Sequence, residues 1–189
     1  MELDIHKTVY GAFFIILGIL FSQIFHIFGG PITGQMILPM HFPVFISGIV
    51  FGPFLGVIVG ILTPLISALF TGMPTLAPPI AVLMMFELGF YGLLSGWFYK
   101  RLNYNVFISI FFSMFVGRIG LGLVLYSIMP LIGFKVNVIK MISGSVITGF
   151  PGIVLQLILI PVIIKKTDLE EKIYAYKFNK HKHKVFQNK

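Results

Sequence analysis

The sequence predicts an all-α membrane protein: a six-transmembrane-helix bundle with both termini cytoplasmic. Three observations predict it. Hydrophobic residues make up 57% of the 189 positions and charged residues only 11%, whereas soluble domains carry about 25% charge. The apolar residues gather into six segments, most of them near the about 20 residues that a spanning helix needs. Lys and Arg fall mainly at one set of segment ends, the asymmetry that sets orientation in a bilayer.

The first segment runs from Thr8 to Phe28. Two acids precede it in "MELDIHK" and no small-residue cleavage site follows it, so it reads as a retained helix rather than a removed signal. The second, Met40 to Phe51, is short for a span. It is either tilted and lengthened with turns from the preceding loop, or buried in protein. Gly52-Pro53 then breaks the chain, because Pro fixes its own φ and restricts its predecessor. The third segment is Pro53 to Phe70, the fourth Pro79 to Tyr99, the fifth Asn105 to Met129 and the sixth Val138 to Ile164. Residues 1–166 are expected to form one membrane domain. Residues 167–189 are too polar to span and read as a cytoplasmic basic tail. Its "NKHKHK" stretch suits anionic lipid, and no functional metal site is expected at His181 and His183.

With the N-terminus inside, the inner ends hold Lys7, Lys100, Arg101 and the tail, and the outer side only Lys135 and Lys140. Three Gly/Pro-marked loops then face outward: Gly29 to Pro39, Thr71 to Pro78, and Pro130 to Asn137. Such loops on one side suggest a site that opens outward. The net charge of +8 lies mostly in the tail, which fits topology and a lipid surface and argues against a nucleic-acid partner. The chain has no cysteine, which excludes disulfides and thiolate metal sites. There is no HExxH, GxSxG or Walker A pattern. No enzyme and no cofactor are therefore expected, and active transport would draw on a partner or an ion gradient.

Glu87, inside "VLMMFELGFYG", and Arg118 are the two formally charged residues deep in the apolar segments. An isolated charge there costs on the order of 3 kcal/mol. They fall on consecutive antiparallel segments, roughly 12 and 18 Å from the outer ends, so they are expected to neutralise each other. The pair either staples the bundle or also faces a polar ligand, since Arg suits a carboxylate or phosphate and Glu accepts from amide, hydroxyl or amine donors. Tyr91 lies one turn below Glu87 on the same face. Tyr126, Asn137, Ser143, Gln35 and His41 complete the candidate ligand-binding set in the outward half, and Gln156 is deeper. Gly48, Gly52, Gly56 and Gly60 recur at four-residue steps, and Gly92 and Gly96 repeat the step. Such stripes let helices approach closely, either inside one bundle or against another membrane protein.

Six segments in a small basic chain, a short second segment and a long Gly/Pro first outer loop resemble the substrate-binding S components of energy-coupling factor (ECF) transporters. The stretches "LPMHFPVFISGIVFGPFLGVIVGILTPLISALFTGMP" and "FELGFYGLLSGWFYKR" carry the resemblance, which covers about Val9 to Ile164. It implies high-affinity vitamin capture at a bacterial or archaeal plasma membrane. It also implies a transmembrane coupling protein and two cytoplasmic ATPases as partners, and toppling of the S component to carry the ligand inward. The family's ligand lies between helices four, five and six, where Glu87, Tyr91, Arg118, Tyr126, Asn137 and Ser143 fall. Its first helix often carries Ala-x-x-x-Ala for the coupling protein. Here Gly11-Ala12 stands followed by Phe13, Phe14 and Ile15, which makes the Gly48 to Gly60 stripe an alternative docking face. An Arg in the site suits an acidic vitamin, with pantothenate the first choice and folate beside it. Riboflavin, pyridoxine and a deazapurine precursor stay open. Two readings from other classes are a proton-coupled secondary transporter using Glu87, which predicts an internal repeat not seen between the halves, and an intramembrane enzyme or scaffold using Glu87 and His41.

Overall fold

The computed structural model describes residues 5–76, 79–127, 130–133 and 137–167. The remaining loop positions and the tail from 168 on lie outside the described residues, as do His181 and His183. Six α-helices follow in order: α1 (Ile5–Ile37), α2 (His41–Phe51), α3 (Pro53–Thr71), α4 (Ile80–Lys100), α5 (Val106–Ser127) and α6 (Val138–Thr167), with one 3-10 turn at Pro130–Ile132 before α6. There is no strand among the described residues. All but α2 are long and apolar enough to cross a membrane. The reason is general: without water to bond the backbone, an apolar segment must satisfy its N–H and C=O groups internally.

Each expected segment meets a helix, but the first outer loop does not exist as a loop. α1 continues to Ile37 with a break at Gly30 (φ 70°, ψ −179°), followed by Pro31. Only glycine takes that conformation readily. The chain reverses there: a side chain at Gly34 would stand 2.8 Å from His26 Cε1, and one at Gly18 would stand 3.8 Å from the Met40 carbonyl. In a straight helix those pairs would be about 12 and 33 Å apart. Residues 31–37 therefore form a return arm that re-enters the bundle along the first part of α1. The arm is helical because Ile32, Met36 and Ile37 are apolar and their backbone needs partners; Leu38 N–H donates to the Gly34 carbonyl at 3.0 Å. It seats on α6, where a side chain at Gly152 would stand 2.6 Å from the carbonyls of Met36 and Ile37. Gln156, fully buried, donates from Nε2 to the Leu38 carbonyl at 3.2 Å.

The return arm and α2 run in the same direction, separated by Leu38, Pro39 and Met40. Leu38 has φ 54°, strained for a branched residue. Together the two pieces form one discontinuous helix, broken inside the bundle. This accounts for the short second segment: its missing turns lie in what reads as a loop.

α2 and α3 form a tight hairpin at Gly52 (φ 98°, ψ 174°), with Pro53 opening α3. Both pack on α4 through glycine. A side chain at Gly48 or Gly56 would collide with the Gly92 carbonyl, one at Gly60 with the Leu88 carbonyl, and one at Gly92 with the Gly56 carbonyl. At Gly96 it would stand 2.5 Å from Pro53 N. At Gly48, Gly56 and Gly60 the stripe thus packs on backbone of α4 inside the bundle, whereas a side chain at Gly52 would meet nothing within 4 Å. Gly11 is buried against Leu55, whereas Ala12 is exposed. Phe45, Ile49, Tyr91, Ile110, Met114 and Ile160 fill the core between α2, α4, α5 and α6.

Lys7, Lys100, Arg101, Lys165 and Lys166 lie at one end of the bundle, the basic end. The Gly30 reversal and the α3–α4 connection lie at the other, the hairpin end. Arg101 stacks over Trp97 at 6.0 Å, with Tyr104 close by on Phe98, as in an interfacial aromatic belt.

Gly92→Leu is expected to destabilise the protein by about 3 kcal/mol or more, because backbone carbonyl, not a flexible side chain, stands in the way. Gly144 has open space around it, so Gly144→Ala is expected to be neutral or to gain up to about 1 kcal/mol of helix propensity. Thermal melting in detergent compares them; equal melting of the two variants would mean the glycine seam is not the close contact described.

Candidate functional site

Three helices bring polar groups to one level. Glu87 lies seven residues into α4, Ser145 seven residues into α6, and Arg118 nine residues from the end of α5. These positions are about 10, 10 and 14 Å below the hairpin end at 1.5 Å per residue. The break in the discontinuous helix delivers a fourth group, because α2 starts inside the bundle and His41 is its first residue.

The side chains form a continuous row. Tyr91 Oη donates to Glu87 Oε1 at 2.8 Å. Arg118 Nη2 stands 3.8 Å from the same oxygen, an ion pair too long to be a hydrogen bond. Arg118 Nη1 donates to Ser145 Oγ at 2.7 Å, and Ser145 Oγ donates in turn to the Ile142 carbonyl at 2.9 Å. Tyr91 is held on both sides: Phe45 stacks on its ring at 5.3 Å, and the His41 ring lies 5.6 Å away. Gly117 makes room for it, since a side chain there would stand 2.6 Å from the Tyr91 ring. His41 is 2% exposed and neither ring nitrogen has a hydrogen-bond partner among the described residues. Gln156 Oε1 is also without one. Glu87 and Arg118 keep 13% and 12% of their side chains exposed, so the charged pair, unlike Tyr91 and His41, remains partly accessible.

Of the candidate ligand-binding residues, Glu87, Tyr91, Arg118 and His41 come together. Tyr126 is 77% exposed near the end of α5. Asn137 caps α6, its Oδ1 accepting from Lys140 N–H at 3.0 Å, a role suited to Asn at a helix start. Ser143 donates to the Ile139 carbonyl of its own helix at 2.7 Å. It lies two residues from Ser145, about 200° around the helix, so only one of the two can face Arg118. Gln35 is exposed on the return arm. Ser143 and not Ser145 is named from the sequence; "SGS" at 143–145 offers two serines, and only the packed face of α6 decides between them. Among the described residues no three His, Cys, Asp or Glu side chains are placed to hold a metal ion.

A family model described as ECF transporter, substrate-specific component, matches residues 8–164. No curated protein and no solved structure matches the chain.

Removing one partner of a buried pair leaves the other charge uncompensated. Glu87→Gln alone is expected to lower stability by about 3 kcal/mol, and adding Arg118→Met should recover part of that loss. A coupling of at least about 1 kcal/mol in the double-mutant cycle, read from chemical denaturation in detergent, is the expected result. Strict additivity would show that the pair contributes nothing.

Proposed function

This chain belongs to the substrate-specific components of ECF transporters, and we propose that it captures a water-soluble vitamin at the Glu87–Arg118 site. The family is a transporter component rather than an enzyme. Its members work with a substrate and with an energising module of a transmembrane T component and ATPases, so this chain is a membrane protein of substrate uptake. The single observation that carries the finer reading is the convergence of Glu87, Tyr91, Arg118 and Ser145 from three helices, with the two charges partly accessible. The broken second helix supports it: discontinuous helices in transporters place helix ends and irregular backbone at the binding site, and here the break lies beside Tyr91.

Six crossings follow if the return arm and α2 count as one. The basic end then faces the cytoplasm, with both termini and the tail, by the Lys/Arg asymmetry. The hairpin end faces outward in the plasma membrane of a bacterium or archaeon. Docking to the transmembrane partner falls to surfaces left open by the bundle, among them the face of α1 with Ala12. Pantothenate, or another acidic vitamin, rests on an Arg118 free to bind a carboxylate. Its position beside Glu87 weakens that ground, and riboflavin, folate, pyridoxine and a deazapurine precursor stand level with it.

The purified protein is expected to bind one water-soluble vitamin at micromolar concentration or tighter, and to hydrolyse no ATP. Titration calorimetry or native mass spectrometry across a vitamin panel checks this. A panel without any such binding would sink the reading. Proton-driven uptake by the isolated chain in liposomes would favour a secondary transporter with Glu87 as its proton-carrying group.

A further inference from the structure

The charged pair restricts what the site accepts, provided that it lines the ligand site as proposed above. Tyr91 engages Glu87 Oε1 and Ser145 engages Arg118 Nη1. Among the described residues nothing donates a hydrogen bond to Glu87 Oε2, and nothing accepts one from Arg118 Nη2 or Nε. The pair therefore carries no net charge, yet holds an unused acceptor beside unused donors.

A ligand carboxylate that reached Arg118 would stand close to the Glu87 carboxylate, and a ligand ammonium that reached Glu87 would stand close to the guanidinium. Each arrangement sets like charges a few ångströms apart in a site nearly closed to water, where screening is weak. A group that satisfies both halves at once is uncharged, planar, and carries an N–H next to a C=O. Its N–H donates to Glu87 Oε2 and its carbonyl accepts from Arg118. Both bonds are charge-assisted, and no ion has to be stripped of water.

We propose that the ligand presents an uncharged lactam or ureide edge to Glu87 and Arg118, and that the pair selects such heterocycles over simple carboxylate vitamins. Glu87 and Arg118 then act as ligand contacts, and Tyr91 and Ser145 as positioning residues that fix the two forks.

The wild-type protein itself supplies the test. Riboflavin carries such an edge, and its N3-methyl derivative lacks the donor; 7-deazaguanine and its N1-methyl derivative form a second pair; pantothenate is the acid. The vitamin that binds is expected to carry the edge, and methylation of the edge nitrogen should weaken binding at least about 100-fold, as when a site built for an N–H meets an analogue without one. Glu87→Gln, which leaves Arg118 without its counter-charge, should shift the ratio of affinities toward pantothenate. Tight wild-type binding of pantothenate or of any vitamin without such an edge overturns the proposal and leaves vitamin capture intact. Indifference to N-methylation does the same. Failure of the whole vitamin panel removes both readings together.

Discussion

Two opposite charges inside an apolar bundle set the terms for everything around them. Neither Glu87 nor Arg118 can stand alone in hydrocarbon, so α4 and α5 must be held at a depth and rotation that put them 3.8 Å apart. That fixes which face of α4 looks toward α5. The opposite face must pack closely enough to keep it there. The glycines of α2 and α3 do this, because their lack of side chains lets backbone meet backbone at Gly92 and Leu88. The seam and the pair are two sides of one helix, and Tyr91 joins them: its ring packs on Phe45 of α2 while its hydroxyl holds Glu87.

Much of this was legible in the chain. Segment positions followed from hydropathy alone, since a bilayer imposes length and composition together. The Glu87–Arg118 pairing followed from scarcity: with two deep charges on adjacent antiparallel segments, no other neutralising partner was available. The return arm was illegible for a physical reason. "GGPITGQMILP" has turn residues at one end and apolar residues at the other, and composition reads the glycines and proline as a loop. Only the reversal at Gly30 shows that they make one sharp corner, after which Ile32 to Ile37 run back along α1 toward α2. The Gly48–Gly60 stripe was legible as a close-contact surface but not as to its partner, because a small-residue face looks the same whether it meets its own chain or another. Ser145 depended on the rotation of α6, which carries apolar residues around most of its circumference and so gives no phase.

The packing divides the bundle into unequal parts. α2, α3 and α4 are locked by backbone contacts across glycine, and their inner faces are nearly closed. α1 and α6 are the least buried of the long helices. Among the described residues, hydrogen bonds tie α6 to the rest of the bundle from Arg118 of α5 to Ser145 and from Gln156 to the Leu38 carbonyl just before α2. Both links involve single hydrogen bonds, and the second ends at the strained break between the return arm and α2. Groups with unused hydrogen-bonding capacity at this boundary are His41, Gln156 Oε1 and the free forks of the charged pair; His26 Nδ1 on α1 and Ser109 Oγ near the start of α5 lie away from it. Elsewhere Ser47, Thr63, Ser67, Ser95 and Ser113 satisfy their hydroxyls on backbone carbonyls. Buried polar groups without partners are costly in a medium that offers no water. At His41, Gln156 and the charged pair that unused capacity lies between helices from different parts of the chain, where a bound polar group would meet it.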